Sequence, residues 1–176
     1  MPLTLQEKKA IVEEVSEVAA NAHSAVAAEY IGLTALQMDD LRAKARQNGI
    51  YLRVVKNNLA KIALEDTEFD CMRGEMVGPL LLAFSMEDPG SAARLVRDFA
   101  KENEKLAAKV VALNGQAMPG SELGRVASLP TKDEAISQLM SVMKAPIEKF
   151  VRTLNEPHAK LVRTIAAVRD QKQGAA

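Results

Sequence analysis

The chain has 176 residues, 48% of them hydrophobic, with 23 basic and 23 acidic side chains and a formal net charge of zero. That length allows one ordinary domain with an appendage, and the balanced charge excludes a uniformly basic nucleic-acid binder. The single cysteine, Cys71, excludes an intrachain disulfide and a cysteine metal framework, and is expected to be a buried or half-buried small apolar residue.

Thr4 and Glu7 form a capping box that opens a first helix, with Ile11, Val12, Val15, Val18, Ala19 and Ala22 as its buried face. Ser24 to Ile31 reads as a strand. Gly32-Leu33-Thr34 is a turn, and Thr34 with Gln37 caps a second helix that runs to Asn48 and stops at Gly49. Residues 50–55 are β-rich, and Lys56-Asn57-Asn58 opens a short helix with Leu59, Ile62 and Ala63 inward. Leu80 to Phe84 is a buried strand after Gly78-Pro79. Asp88-Pro89-Gly90-Ser91 starts a helix that buries Leu95, Val96 and Phe99. Lys109 to Leu113 is a strand ending in the hairpin-type turn Asn114-Gly115. Residues 130–134 read as a linker closed by a third capping box, Thr131 with Glu134. The fold class expected is α/β (α+β layered) with a mixed sheet over residues 1–130, then a long, proline-kinked helical arm over 131–176.

Charge is unevenly spread. No acid lies between Asp40 and Glu65, whereas Arg42, Lys44, Arg46, Arg53, Lys56 and Lys61 all do. Residues 65–104 reverse the balance, and the stretch from Ser141 onward is basic again. Arg42 and Arg46 are four apart and share a helix face. Lys56, Asn57 and Asn58 at a helix start, and the turn at Gly32 and Thr34, are candidate phosphate seats, with Arg53 between them. Aromatics are 3% of the chain, with no tryptophan, so phosphate and shape recognition of folded RNA is expected over a stacking platform. His23 and His158 are far apart in sequence, and no nucleophile, phosphate-loop or dinucleotide motif occurs. No enzyme activity, cofactor or metal is therefore expected.

The last third repeats. Pro146 to Leu154 aligns over Pro157 to Ile165 with Pro, Lys, Val, Arg and Thr identical. Apolar residues recur at i, i+3, i+4 and i+7 in three successive eleven-residue modules. These are Ile136, Leu139, Met140 and Met143; then Ile147, Phe150, Val151 and Leu154; then Leu161, Val162 and Ile165, with His158 breaking the set. Eleven residues leave only about 20° of drift per module, so one stripe presents the same kind of docking face three times. The first module has neither the proline nor the Arg-Thr pair, so its equivalence rests on apolar register.

Lys8-Lys9-Ala10-Ile11-Val12, Gly32-Leu33-Thr34, Arg53-Val54-Val55-Lys56-Asn57, Gly78-Pro79 and Leu161 through Asp170 resemble the bacterial large-subunit ribosomal protein ten family, the stalk-base proteins, and the likeness runs essentially end to end. Asn58 stands where that family commonly has threonine. The resemblance implies an RNA-binding domain seated on 23S rRNA at the stalk base beside ribosomal protein eleven, and adds Lys8 to the RNA-binding set. It implies an arm that anchors dimers of the acidic stalk protein, which recruit translation-factor GTPases, and binding of the protein's own messenger leader in some members. Shorter members have one Leu-Val-Arg-Thr segment. The extra Phe150-Val151-Arg152-Thr153-Leu154 here predicts a tandem duplication and three dimer sites instead of two. Charge and repeat by themselves also fit a free RNA-binding regulator with a self-associating arm. No run is apolar enough to span a membrane and no signal-peptide core is present, so a ribosomal, cytoplasmic location is expected.

Overall fold

The computed structural model describes residues 4–65, 67–103 and 105–174. The chain divides into two compact units, Met1–Thr131 and Lys132–Ala176. In the first, helix α1 (Leu5–Asn21) begins at Thr4, whose hydroxyl accepts the Glu7 N–H while the Glu7 carboxylate takes the Thr4 N–H at 2.7 Å. Strand β1 (Ser24–Glu29) follows, then α2 (Ala35–Gln47) under a second reciprocal box between Thr34 and Gln37. Gly49, at φ 65°, ends α2 in the left-handed region that glycine adopts without strain. Then come β2 (Ile50–Val54), α3 (Asn57–Ala63), β3 (Leu80–Ser85), α4 (Ser91–Glu102), β4 (Ala107–Leu113), β5 (Gln116–Pro119) and α5 (Leu123–Ala127).

The strands form one sheet in the order β2-β3-β1-β4-β5, and every neighbouring pair is antiparallel. The layered α/β class holds, but the sheet is antiparallel throughout, not mixed. The β1-α2-β2 and β3-α4-β4 crossovers each return a strand parallel to its start. However, β3 inserts between β1 and β2, and β1 lies between β3 and β4, so parallel strands never touch. These are two interlocked split β-α-β units. Asn114 and Gly115, both at positive φ, make the tight β4–β5 hairpin.

Both faces of the sheet are covered. Ala25, Ala27, Leu80, Leu82, Phe84, Val110 and Ala112 pack under α1, α3 and a one-turn 3-10 helix, Asp70–Met72. The alternate residues Val26, Ala28, Leu81, Ala83 and Val111 pack under α2, α4 and α5. That is why these strands read as unbroken apolar runs. Two buried serines carry the polar load. The Ser24 hydroxyl donates to the Pro89 carbonyl at 2.7 Å, and Ser85 meets the Ser91 hydroxyl at 2.7 Å.

Four sequence expectations are corrected. The first strand stops at Glu29, because the turn at Gly32 (φ 85°) begins there and leaves Ile31 exposed. Ile62 points outward, since seven-residue α3 packs through Ala60 and Ala63 on the opposite side. Cys71 is exposed, because Phe69 and Met72 take the inward positions around it. The linker is shorter than 130–134, because helix α6 (Lys132–Gly174) already includes Asp133 and Glu134, acids that complement its N-terminal dipole.

Gly120 lies tight against β4, where an added Cβ would sit 1.9 Å from the Ala108 carbonyl oxygen. Gly120→Ala should therefore cost about 1–3 kcal/mol. Gly124→Ala, which meets nothing within 4 Å and lies in α5, should be neutral or stabilising. Urea unfolding of the two variants checks this, and equal midpoints would show that the segment after β5 yields freely.

Candidate RNA-binding edge and docking arm

The acid-free stretch of sequence is not acid-free in space. Arg42 pairs with Asp39 at 3.0 Å, and Lys44 pairs with Glu102 at 2.9 Å and also lies over the Phe99 ring. Arg53 pairs with Glu14 of α1, and both reach the Tyr51 hydroxyl. Arg46, Lys56 and Lys61 form no ion pair among the described residues.

The Arg53 cluster fastens α1 to β2. Hydrogen bonds from Tyr51 and then Arg53 hold the Glu14 carboxyl below its ordinary range, and burial together with Glu14 raises the Tyr51 phenol. A depressed carboxyl contributes stability that is present above its unfolded pKa and is lost as pH falls through its folded one. Acidification below about pH 4.5 should thus erode this contribution. Glu14→Gln should be less stable than the parent at neutral pH, and the gap should close in acid. Denaturant midpoints measured between pH 7 and pH 3 test it, and a constant gap would refute it.

Beyond Arg53, the candidate residues separate into three places. Lys8 from α1 meets Lys56, Asn57 and Asn58 around a cleft of about 680 Å³ at the end of β2, walled by Tyr30, Val54 and Pro79. The Asn57 amide donates to the Gly78 carbonyl at 2.7 Å and fixes the loop that closes the cleft. Arg42 and Arg46 line a smaller recess of about 230 Å³ with Ile50 and Leu52, on the opposite face of the sheet. Both recesses border β2, an edge strand that pairs only with β3. Gly32 and Thr34 stand apart from both. The Thr34 polar groups are engaged in capping α2, and the stem of Lys105 crosses Gly32 closely enough that a Cβ there would lie 3.3 Å from it.

Lys105, Tyr30 and the Gly78-Pro79 turn escaped the charge census. Lys105 closes an acidic stretch, and the other two carry no charge. The Gly78-Pro79 dipeptide, a turn signal, was the available pointer, and Gly78 adopts φ 95°. Among the described residues, no group of three or more His, Cys, Asp or Glu could hold a metal, and no helix is long and apolar enough to cross a membrane.

The second unit is α6 itself, one helix of 43 residues running through Pro146 and Pro157. All eleven apolar residues of the three modules are exposed, from 47% at Ile136 to 70% at Met143. The repeat is also visible in side-chain geometry. Thr153 donates to the Phe150 carbonyl, and Thr164, eleven residues on, to that of Leu161, both at 2.8 Å.

Comparison with known proteins gives the class first: the chain is a component of the large ribosomal subunit. Residues 3–101 match ribosomal protein L10, and the uL10 C-terminal region matches twice, over 129–155 and 153–175. Large ribosomal subunit protein uL10 of Thioalkalivibrio sulfidiphilus is 65% identical over the whole of both chains. The uL10 proteins of Alkalilimnicola ehrlichii and Alcanivorax borkumensis are 61% and 58% identical, over 99% and 100% of this chain and the whole of each relative. The chain belongs to the ribosomal protein L10 family.

Proposed function

We propose that this chain forms the base of the ribosomal stalk. Residues 1–130 bind 23S rRNA along the β2 edge, beside ribosomal protein eleven. The arm, 131–176, anchors dimers of the acidic stalk protein on three modules, 135–145, 146–156 and 157–167, and those dimers recruit translation-factor GTPases. The observation that carries this reading is the exposed apolar stripe of α6. Burying each such side chain contributes about 1.5–3 kcal/mol, so the stripe is a strong site for apolar partners. The double match to the C-terminal region supports a repeated docking unit within the arm. Eleven-residue spacing separates successive modules by about 16 Å along the helix while turning the stripe only about 20°.

For the RNA side, the free Lys56 and the paired Arg53 should differ. Lys56→Ala should weaken binding of a stalk-base rRNA fragment and lower the slope of log affinity against log salt by about 0.9. Arg53→Ala should change the slope less, because Glu14 already offsets its charge. Fragment titrations at several salt concentrations decide it, and equal slopes for Lys56→Ala and the parent would remove the cleft from the RNA site.

For the arm, native mass spectrometry with the stalk protein should give three dimers per chain. Leu161→Asp should remove one dimer, weakening that module more than about tenfold, and leave RNA binding unchanged. A ceiling of two dimers on the parent chain would sink the third module, and loss of all dimers in Leu161→Asp would sink independent docking.

A further inference from the structure

We infer that the cleft between α1 and the end of β2 receives one unstacked nucleotide of the bound RNA, its phosphate held by Lys8 and Lys56 and its base against the apolar wall. The inference rests on the RNA-binding reading above and names what that site takes. Phosphate contacts alone need only an exposed cation and no recess. Lys8 and Lys56 instead stand at the rim of a recess of about 680 Å³, within the about 300–1,000 Å³ span of small-ligand sites. Val54, Leu59 and Pro79 give it an apolar wall, and Val54 is 39% exposed although it lies in a strand. A duplex backbone has no group that would fill such a wall, whereas an extruded base does.

The rim selects against an apolar protein side chain as the occupant. Neither Lys8 nor Lys56 has an ion-pair partner among the described residues, so an uncharged occupant would leave two cations facing it unpaired. A nucleotide carries its own anion. Asn58 lines the same cleft, and its side chain has no hydrogen-bond partner among the described residues, leaving its amide available to donate to and accept from a base edge. Low aromatic content argues against a stacking platform for successive bases, but one recess for one base needs no such platform.

The test uses the full-length protein and a stalk-base fragment of 23S rRNA, with single abasic nucleotides scanned along the fragment. One abasic position should lose about tenfold or more in affinity, the loss expected when one well-seated base is removed. Val54→Trp, which fills the cleft and removes no cation, should lose a similar factor while keeping the parent salt slope. The two losses should not add, because both empty the same contact. A flat abasic scan overturns the inference whatever the variant does, since it leaves the protein untouched. Fully additive losses also overturn it, because they seat the sensitive base elsewhere. Saturation by free nucleoside monophosphates at concentrations below the RNA dissociation constant would likewise overturn it in favour of a soluble nucleotide. Failure of the parent protein to bind any fragment would instead defeat the RNA-binding reading itself.

Discussion

The globular unit depends on β1 being covered on both faces and paired on both edges. It lies between β3 and β4, with Ala25 and Ala27 against one helical layer and Val26 and Ala28 against the other. Alanine at three of the four buried apolar positions lets both layers approach the sheet closely. Because packed interiors tolerate little change in volume, a larger side chain at any of these alanines would push a whole layer outward. The buried Ser24 hydroxyl, bonded to the Pro89 carbonyl, ties the start of this strand to the turn that launches α4. Strand order, crossover geometry and the position of the β2 edge follow from that central strand.

Edge position then decides where charge can act. With β3 inserted beside β1, β2 is left at the sheet margin, and its two flanks gather Lys8 and Lys56 on one side and Arg42 and Arg46 on the other. Three of the six bases in the acid-free stretch are offset by acids from Glu14, Asp39 and Glu102. The surviving free cations are thus fewer than a linear count suggests, and they are set by tertiary contacts. Arg53 illustrates the distinction: it holds α1 against the sheet, and α1 carries Lys8 to the cleft.

What was legible in the sequence is what local chemistry decides. The boxes at Thr4 and Thr34, the stop at Gly49 and the hairpin at Asn114-Gly115 are each fixed by residues within four positions of one another, and each appears as expected. Strand order was not legible, because β1 takes partners more than fifty residues downstream and no local pattern names them. The cleft was half legible. Lys56, Asn57 and Asn58 stood out together, but Tyr30 and Pro79, which wall it, arrive from 26 and 23 residues away from Lys56 and carry no charge signal. Cys71 and Ile62 failed for the same reason. Burial in a short element is decided by which side its neighbours occupy, and composition does not report that.

The arm inverts the logic of the globular unit. In the globular unit, most large apolar side chains find cover in two clusters on either side of the sheet. In α6 the eleven module residues find none, although their spacing is as regular as that of any core helix. Regular spacing without burial is costly in water, and that cost is the physical ground for the docking proposal. The prolines sharpen this. Each removes the N–H that would otherwise reach the carbonyl four residues earlier, Val142 for Pro146 and Thr153 for Pro157. Both fall at the same point of the eleven-residue module, just ahead of the apolar set, and they lie only about 20° apart around the axis. The second and third modules therefore each begin at a point where the helix lacks one backbone hydrogen bond, whereas the first module, without a proline, keeps its own. On the docking reading proposed above, an apolar partner on the stripe would supply part of the order that the prolines remove, and docking would then be coupled to helix formation in the two proline-led modules.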